Sequence, residues 1–161
     1  MKLLIGYNAD GSELAAKLAK LSLPDGVVVI SPDGGSTAST SAPAPTTHEA
    51  FIAALEVAAG GAEKLASPGQ AEALGVFVCQ TGLESSCGLN QKGHKQIRAA
   101  VCHDDYTAKF CRLHNGANVL CLGQATLGDE VAKEMVLRFL STAFEGGRHQ
   151  GRVEKIHASS L

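Results

Sequence analysis

Residues that can do chemistry follow an apolar run that ends at Cys79. The chain continues Gln-Thr-Gly over residues 80–82, and a helix can begin directly afterwards. Backbone N–H groups in such a turn, together with the helix dipole, favour an anion. They would stabilise a thiolate and hold a developing oxyanion, so Cys79 is a candidate reactive thiol. The alternative interpretation is that Cys79 only completes a buried strand.

Two further segments carry imidazole and guanidinium groups. His114 stands at the end of a predicted helix, before a turn that contains Gly116. A protonated imidazole is favoured at that position, although an ordinary capping role is the alternative. Arg148 and Arg152 are four residues apart, so on a helix they project from one face. Two guanidinium groups on one face form a phosphate clamp or, alternatively, a solvated basic surface.

The elements that must position these residues alternate between apolar strands and helical segments. Strands are predicted at residues 2–6, 27–30, 75–79, 97–102 and 118–122, with helical segments between them and a polar helix at the C-terminus. A weak helical stretch is predicted up to Leu74. Residues 31–47 lack apolar periodicity and are predicted to form a flexible loop. This pattern predicts an α/β fold, a three-layer Rossmann-like domain with a five-stranded parallel sheet, in a single domain over residues 1–161. Ligands bind at the carboxyl ends of such strands.

Composition excludes several classes of protein. The chain has 161 residues, of which 45% are hydrophobic, and only 4% are aromatic, so Ala, Val, Leu and Ile must build the core. No apolar run approaches the roughly 20 residues of a membrane helix. A net charge of −2 argues against nucleic acid as a partner. The five cysteines contain no Cys-x-x-Cys pair, which favours a reduced, cytoplasmic protein without a metal site.

Together, these segments resemble the ribose-5-phosphate isomerase B family, which includes galactose-6-phosphate isomerase subunits. The resemblance covers most of the chain and is strongest from Ile97 to Ile156. It rests on the segments Val78–Gly82, Ile97–Asp104, His114–Leu120, Phe139–Thr142 and Phe144–His149. The Glu-Gly-Gly-Arg-His run, with a second Arg four residues after the first, is the most specific of these features.

The resemblance implies an aldose–ketose isomerase of the pentose phosphate pathway that uses no metal or other cofactor. The leading reaction is ribose 5-phosphate to ribulose 5-phosphate through an enediolate. In this interpretation Cys79 is the base and His114 opens the sugar ring. The remaining roles are enediolate binding for Thr81 and Gly82, sugar contacts for Asn90 and Asn115, and phosphate binding for Arg148 and Arg152. The resemblance also implies a homodimer or tetramer whose site lies at the subunit interface.

The sequence departs from the family pattern mainly in its N-terminal half. Asn8 replaces an Asp and remains a predicted substrate contact, while Ala9 replaces a His that meets the phosphate. The segment Thr47–Ala50 stands where the family has Asp-Tyr-Pro-Asp. Glu84 replaces a glycine and is an alternative base. An arginine expected after Gly123 is missing. The alternative function is therefore a catalytically impaired paralogue that binds a sugar phosphate or a partner subunit, or an isomerase of another phosphorylated sugar.

Overall fold

A computed structural model describes residues 1–30, 46–70, 72–91 and 94–158 of the chain. Its centre is a five-stranded sheet in the order β2-β1-β3-β5-β4. All neighbouring strands pair in parallel, which confirms the predicted α/β fold and its parallel sheet. The strands are β1 (Lys2–Tyr7), β2 (Val28–Ile30), β3 (Ala73–Cys79), β4 (Ala99–Val101) and β5 (Val119–Gly123).

Helices cover both faces of this sheet and give the molecule three layers. They are α1 (Ser12–Leu18), α2 (His48–Ala59), α3 (Ala62–Ala66), α4 (Leu83–Leu89), α5 (Asp105–Asn115), α6 (Asp129–Ser141) and α7 (Gln150–Ala158). Apolar residues of α1, α5 and α6 form one core with the sheet, and those of α2, α3 and α4 form a second core on the opposite face. Burial on both faces explains why the central strands are apolar at nearly every position.

Several of the predicted boundaries are wrong. The weak helical stretch predicted to reach Leu74 ends at Ala66, and β3 begins at Ala73 because Ala73 and Leu74 pair with the start of β1. Strand β4 is shorter than predicted at its start, where the Arg98 N–H donates to the Asn118 side chain at 2.8 Å. Short apolar runs define the core of an element better than its ends.

The order of the strands places a crevice between β1 and β3. The chain leaves β1 towards β2 on one side and returns as β3 on the other side. Tyr7 and Val78 are register partners at the ends of these strands, so Asn8 and Cys79 follow side by side. A reversal of strand order of this kind is where open α/β sheets bind ligands.

The entry to α2 is fixed to this same edge. The Thr46 N–H donates to the Tyr7 carbonyl at 2.7 Å, and the Thr47 hydroxyl accepts from the Ala50 N–H and caps the helix. Residues 31–45 of the predicted loop lie outside the described residues. Among the described residues, no helix combines the length and hydrophobicity that crossing a membrane requires.

Candidate active site

The Cys79 thiol lies directly beneath a turn that points a backbone donor at it. The Gly82 N–H donates to the Cys79 sulfur at 3.1 Å, and the thiol is buried. Gly82 has φ +81°, and a Cβ there would lie 2.8 Å from the Val101 side chain, so only glycine fits without strain. A backbone N–H in such a turn can also donate to an oxyanion that develops beside it. The turn predicted from the sequence therefore has the geometry that such chemistry needs.

Three other predicted residues lie at the same edge. The Asn8 amide, which follows β1, donates to the Glu84 carboxylate at 2.9 Å. The Thr81 hydroxyl accepts from the Leu83 N–H at 3.3 Å. We call Asn8, Cys79, Thr81, Gly82 and Glu84 the carboxyl-edge cluster, because all five lie at or just after the carboxyl ends of β1 and β3. Its only charged member is Glu84, whose side chain is 64% exposed.

His48 also reaches this cluster, although no motif in the sequence indicated it. It is the first residue of α2, and its Nε2 lies 3.9 Å from the Glu84 carboxylate. The imidazole is only 18% exposed and packs against the Phe77 ring at a centroid distance of 5.0 Å. Two signals were available: its position directly after the Thr47 cap, which fixes where the helix begins, and its place in the segment Thr47–Ala50, where the family has Asp-Tyr-Pro-Asp.

Asn90 has a clear structural task. Its Oδ1 accepts from the Ala99 N–H at 2.9 Å, and its Nδ2 donates to the Ala99 carbonyl at 2.7 Å. The side chain therefore joins the end of α4 to the edge strand β4. The sugar contact expected for Asn90 stays a prediction, and it would require one of these hydrogen bonds to be released.

A second group of side chains surrounds His114 at the C-terminus of α5. The His114 and His149 rings stack with centroids 4.1 Å apart and planes inclined by 6°. The Glu145 carboxylate lies 3.5 Å from His114 Nε2 and 3.7 Å from His149 Nε2. The Glu145 N–H donates to the Leu113 carbonyl at 2.9 Å, which holds the Gly-rich corner against α5. We call His114, Glu145, Arg148 and His149 the amino-edge cluster.

Arg148 belongs to a 3-10 turn (Gly147–His149) and precedes α7, which carries Arg152. Arg148 Nε donates to His149 Nε2 at 3.3 Å, so that nitrogen acts as an acceptor. Burial, followed by the charges of His114 and the two arginines, lowers the pKa of His149 and keeps its ring neutral. Arg148, Arg152 and the predicted sugar contact Asn115 are exposed, so their polar groups are accessible to a ligand.

Arg98 anchors the helix that carries Arg152. Its guanidinium is buried, donates to the Gly116 carbonyl at 2.9 Å and to the Ala66 carbonyl at 2.7 Å, and contacts His157 Nε2 at 2.8 Å. Burial lowers the pKa of Arg98 to about 10, which leaves it charged at neutral pH. Burial and the neighbouring Arg98 charge lower the pKa of His157, so His157 accepts as a neutral imidazole.

The two clusters lie at opposite ends of the sheet. Helix α5 begins after the carboxyl end of β4 and ends at Asn115, beside the amino ends of the strands. Its 11 residues span about 16 Å at 1.5 Å per residue. Cys79 and His114 therefore cannot contact the same small substrate within one chain.

Three side chains of the amino-edge cluster offer atoms that could bind a metal ion. Within the part of the chain that the structure describes, ligand atoms of His114, Glu145 and His149 lie within 4.8 Å of one another. The stacked rings hold their nitrogen lone pairs in parallel planes, and Arg148 already donates to His149. Both rings would have to turn before they could bind one ion, and the adjacent guanidinium would repel it.

Comparison with known proteins points to one family of isomerases. A family model described as Ribose/Galactose Isomerase matches residues 44–156. Ribose-5-phosphate isomerase B of Escherichia coli (strain K12) is 35% identical over 157 residues, which are 98% of this chain and 95% of that protein. A solved structure of ribose-5-phosphate isomerase B from Mycoplasma genitalium, with ribulose-5-phosphate bound, has a TM-score of 0.72 and 26% identity. The match covers 98% of this chain and 94% of that one.

Other relatives match over shorter regions. The putative sugar phosphate isomerase YwlF of Bacillus subtilis (strain 168) is 42% identical over 82 residues, which are 51% of this chain and 54% of that protein. The chain thus spans about half the length of several curated relatives that it matches. The family model and the nearly complete match to the E. coli protein confirm the resemblance found in the sequence: the chain belongs to the ribose/galactose isomerase family.

Proposed function

We propose that this protein interconverts the aldose and ketose forms of a phosphorylated sugar, with ribose 5-phosphate and ribulose 5-phosphate as its substrate pair. The observation that carries the proposal is the Gly82 N–H directed at the Cys79 sulfur, at the reversal of strand order between β1 and β3. An isomerase of this kind needs a base near C2 and hydrogen-bond donors where the oxyanion develops.

The reaction begins with ring opening. His114 donates a proton to the ring oxygen as its bond to C1 breaks, and the C1 hydroxyl releases its proton to a water molecule to give the open aldehyde. The base then removes the proton from C2, and the electron pair moves to the C1 oxygen. The Thr81 hydroxyl and the amides around Gly82 hold this enediolate. The reaction ends when the protonated base returns the proton to C1, the C2 hydroxyl passes its proton to the C1 oxygen, and the C2 oxygen becomes the ketone.

Cys79 is the proposed base, and Glu84 is the alternative. Cys79 is only 1% exposed beneath the Gly82 turn. The turn must therefore move before the Cys79 sulfur can approach C2 of a sugar. The Glu84 carboxylate is open to solvent and already oriented by the Asn8 amide. A base must come within about 3 Å of the proton that it removes, or act through one water molecule. Comparing substitutions of the two residues decides between them.

We propose further that each active site is shared between two protomers. The carboxyl-edge cluster of one chain would supply the base and the enediolate donors. The amino-edge cluster of a second chain would supply His114, with Asn115 contacting the sugar and Arg148 and Arg152 binding the phosphate. The distance between the carboxyl and amino ends of the strands supports this arrangement, because the two clusters of one chain are too far apart to contact one sugar. Its simplest form is a homodimer, and two dimers would make a tetramer.

The second candidate function is a sugar-phosphate-binding or partner subunit without turnover. Three observations favour it. Cys79 is buried, and the Asn90 side chain is hydrogen-bonded to the Ala99 backbone. Ala9 stands where the family pattern has a phosphate-binding histidine. Loss of one charged hydrogen bond costs about 1.5–3 kcal/mol, or roughly ten- to a hundredfold in affinity. Isomerisation of a different phosphorylated sugar is the third possibility.

The test is a direct assay of the purified protein. Incubation with ribose 5-phosphate should give a ketose, and Cys79→Ala should abolish its formation. A folded, dimeric protein without turnover on any pentose or hexose phosphate would overturn the isomerase. Stabilisation of that protein by a sugar phosphate, lost in Arg148→Ala, would then establish the binding role.

We also propose that residues 1–161 form a single domain. We propose a cytoplasmic location as well, and the five free cysteines support this location.

A further inference from the structure

We propose that His48 is a positioning residue that, together with Asn8, fixes the Glu84 carboxylate beside the Cys79 turn. The inference rests on the proposed isomerase function and adds a residue to its proton-handling site. Three separate elements converge on one carboxylate here. Asn8 follows β1, His48 begins α2, and Glu84 lies in the first turn of α4.

The two oxygens of Glu84 face different partners. Oε2 accepts from the Asn8 amide at 2.9 Å, and Oε1 lies 3.9 Å from His48 Nε2. One carboxylate oxygen therefore has a neutral donor and the other has an imidazole within ion-pair distance. Two contacts from different directions restrict the rotation of a side chain that is otherwise 64% exposed.

The packing around His48 directs its Nε2 towards Glu84. Helix α4 has no side chain at Gly88, and a Cβ there would lie 2.3 Å from His48 Nδ1. The imidazole uses this gap, with its Nδ1 side against α4 and its face against the Phe77 ring. Glu84 lies one helical turn before Gly88 on the same face of α4. Nε2 is therefore the ring nitrogen that meets the carboxylate.

The backbone that carries His48 is also tied to the site. The Thr46 N–H donates to the Tyr7 carbonyl at 2.7 Å, one residue before Asn8. The Thr47 hydroxyl caps α2, so the first helical residue has a fixed position. Both residues that hold Glu84 are thus connected to the end of β1, and the carboxylate is oriented before a substrate arrives.

A pair of substitutions separates positioning from packing. Gln places its amide nitrogen close to the position of Nε2, so His48→Gln keeps the donor and loses the ring. Phe keeps the ring against Phe77 and the Gly88 gap, so His48→Phe loses only the donor. We expect His48→Phe to lower kcat/KM about tenfold through kcat, and His48→Gln to stay within about threefold of the wild type. Equal losses in both variants, or a loss only in His48→Gln, would show a purely structural role.

A double substitution and a spectrum complete the test. If His48 acts through Glu84, His48→Phe should cause no further loss of turnover in a Glu84→Gln background, and an additive loss would overturn the inference. Imidazole ¹⁵N spectra of the unliganded protein should show an Nε2–H at His48 that shifts in Glu84→Gln. If the wild-type protein shows no turnover, the proposed function fails, but a changed His48 signal in Glu84→Gln would still support the contact between His48 and Glu84. An unchanged spectrum would overturn the contact itself.

Discussion

Cys79 ends a strand at the carboxyl edge of the sheet, whereas His114 ends a helix at the amino edge. Helix α5, with 11 residues, separates the levels of the two side chains by about 16 Å within one chain. No rotamer change can remove such a separation, because the sheet and its covering helices lie between the two edges. If both residues act on one sugar, they come from different protomers.

Mixing two inactive variants should therefore restore activity. In a dimer of Cys79→Ala and His114→Ala chains, one of the two shared sites has both native residues. Random re-association should recover about a quarter of the wild-type turnover, because half of the dimers are mixed and each has one intact site. Turnover after co-refolding, compared with each variant alone, measures the effect. A mixture no more active than its components would place both residues in one chain's site or exclude one of them.

Replacing Cys79 tests the base. We expect Cys79→Ala to lower kcat by at least about a hundredfold, since a positioned general base contributes roughly 10²–10⁴-fold. Glu84→Gln should have the smaller effect if Cys79 is the base, and the order should reverse if Glu84 is. Thermal unfolding of both variants provides the control for folding.

Replacing Arg148 or Arg152, the two arginines proposed to bind the phosphate, should weaken substrate binding more than it slows the chemical step. Arg148→Ala and Arg152→Ala should each raise KM roughly ten- to a hundredfold, with a smaller change in kcat. Arg138→Ala is the matched control, because Arg138 is a half-exposed arginine that faces Asp105 on the outer surface of α6. Stabilisation by inorganic phosphate should disappear only in the first two variants. An equal effect of Arg138→Ala would show that the overall charge, and not a clamp, governs binding.

A side chain at position 82 tests whether the turn after Cys79 requires glycine. Gly82→Ala combines a left-handed φ with a Cβ only 2.8 Å from Val101, so we expect about 1–3 kcal/mol of destabilisation. Gly69→Ala is the control, since Gly69 has φ +83° but nothing within 4 Å of its Cβ position. Urea unfolding should rank Gly82→Ala as the less stable variant. The reverse order would mean that the contact with Val101 is easily relieved.

Acid should destabilise the protein through two histidines. Burial lowers the pKa of both His149 and His157 in the folded protein. The unfolded chain, with an ordinary His pKa of about 6.5, binds more protons than the folded one as the pH falls below that value. The contribution of each neutral histidine to the free energy of unfolding is fully present above about pH 6.5. It is lost as the pH falls from there towards the lower pKa that the histidine has in the folded protein. His157→Gln should reduce the change in urea midpoint between pH 7.5 and pH 5.5, and an unchanged difference would contradict the assignment.

The sequence was sufficient to predict the sheet and the turn after Cys79. Apolar runs separated by helical periodicity predicted parallel strands, and the strand order found in the structure places Asn8 beside Cys79. The resemblance supplied the roles, and the comparisons confirm the family. The roles of the individual site residues stay predictions, which substitutions of Cys79, Glu84 and Arg148 test.

Other relationships depend on side chains that are distant in sequence. Asn8 and Glu84 are 76 residues apart, and no local pattern predicts their hydrogen bond. His48 lies in a segment that departs from the family motif, so its contact with Glu84 becomes visible only through the packing of α2 on α4. The separation of Cys79 and His114 likewise needs the direction of α5, which becomes visible once strands and helices are assembled.

The hydrogen bonds between Asn90 and Ala99 have a consequence for the sheet as a whole. β4 is an edge strand, and the backbone groups of such an edge can recruit a strand from another molecule. The Asn90 amide offers Ala99 one acceptor and one donor, as the backbone of a sixth strand would do. A single side chain thereby occupies the backbone groups of Ala99 that a further strand would need, and closes the sheet at this position.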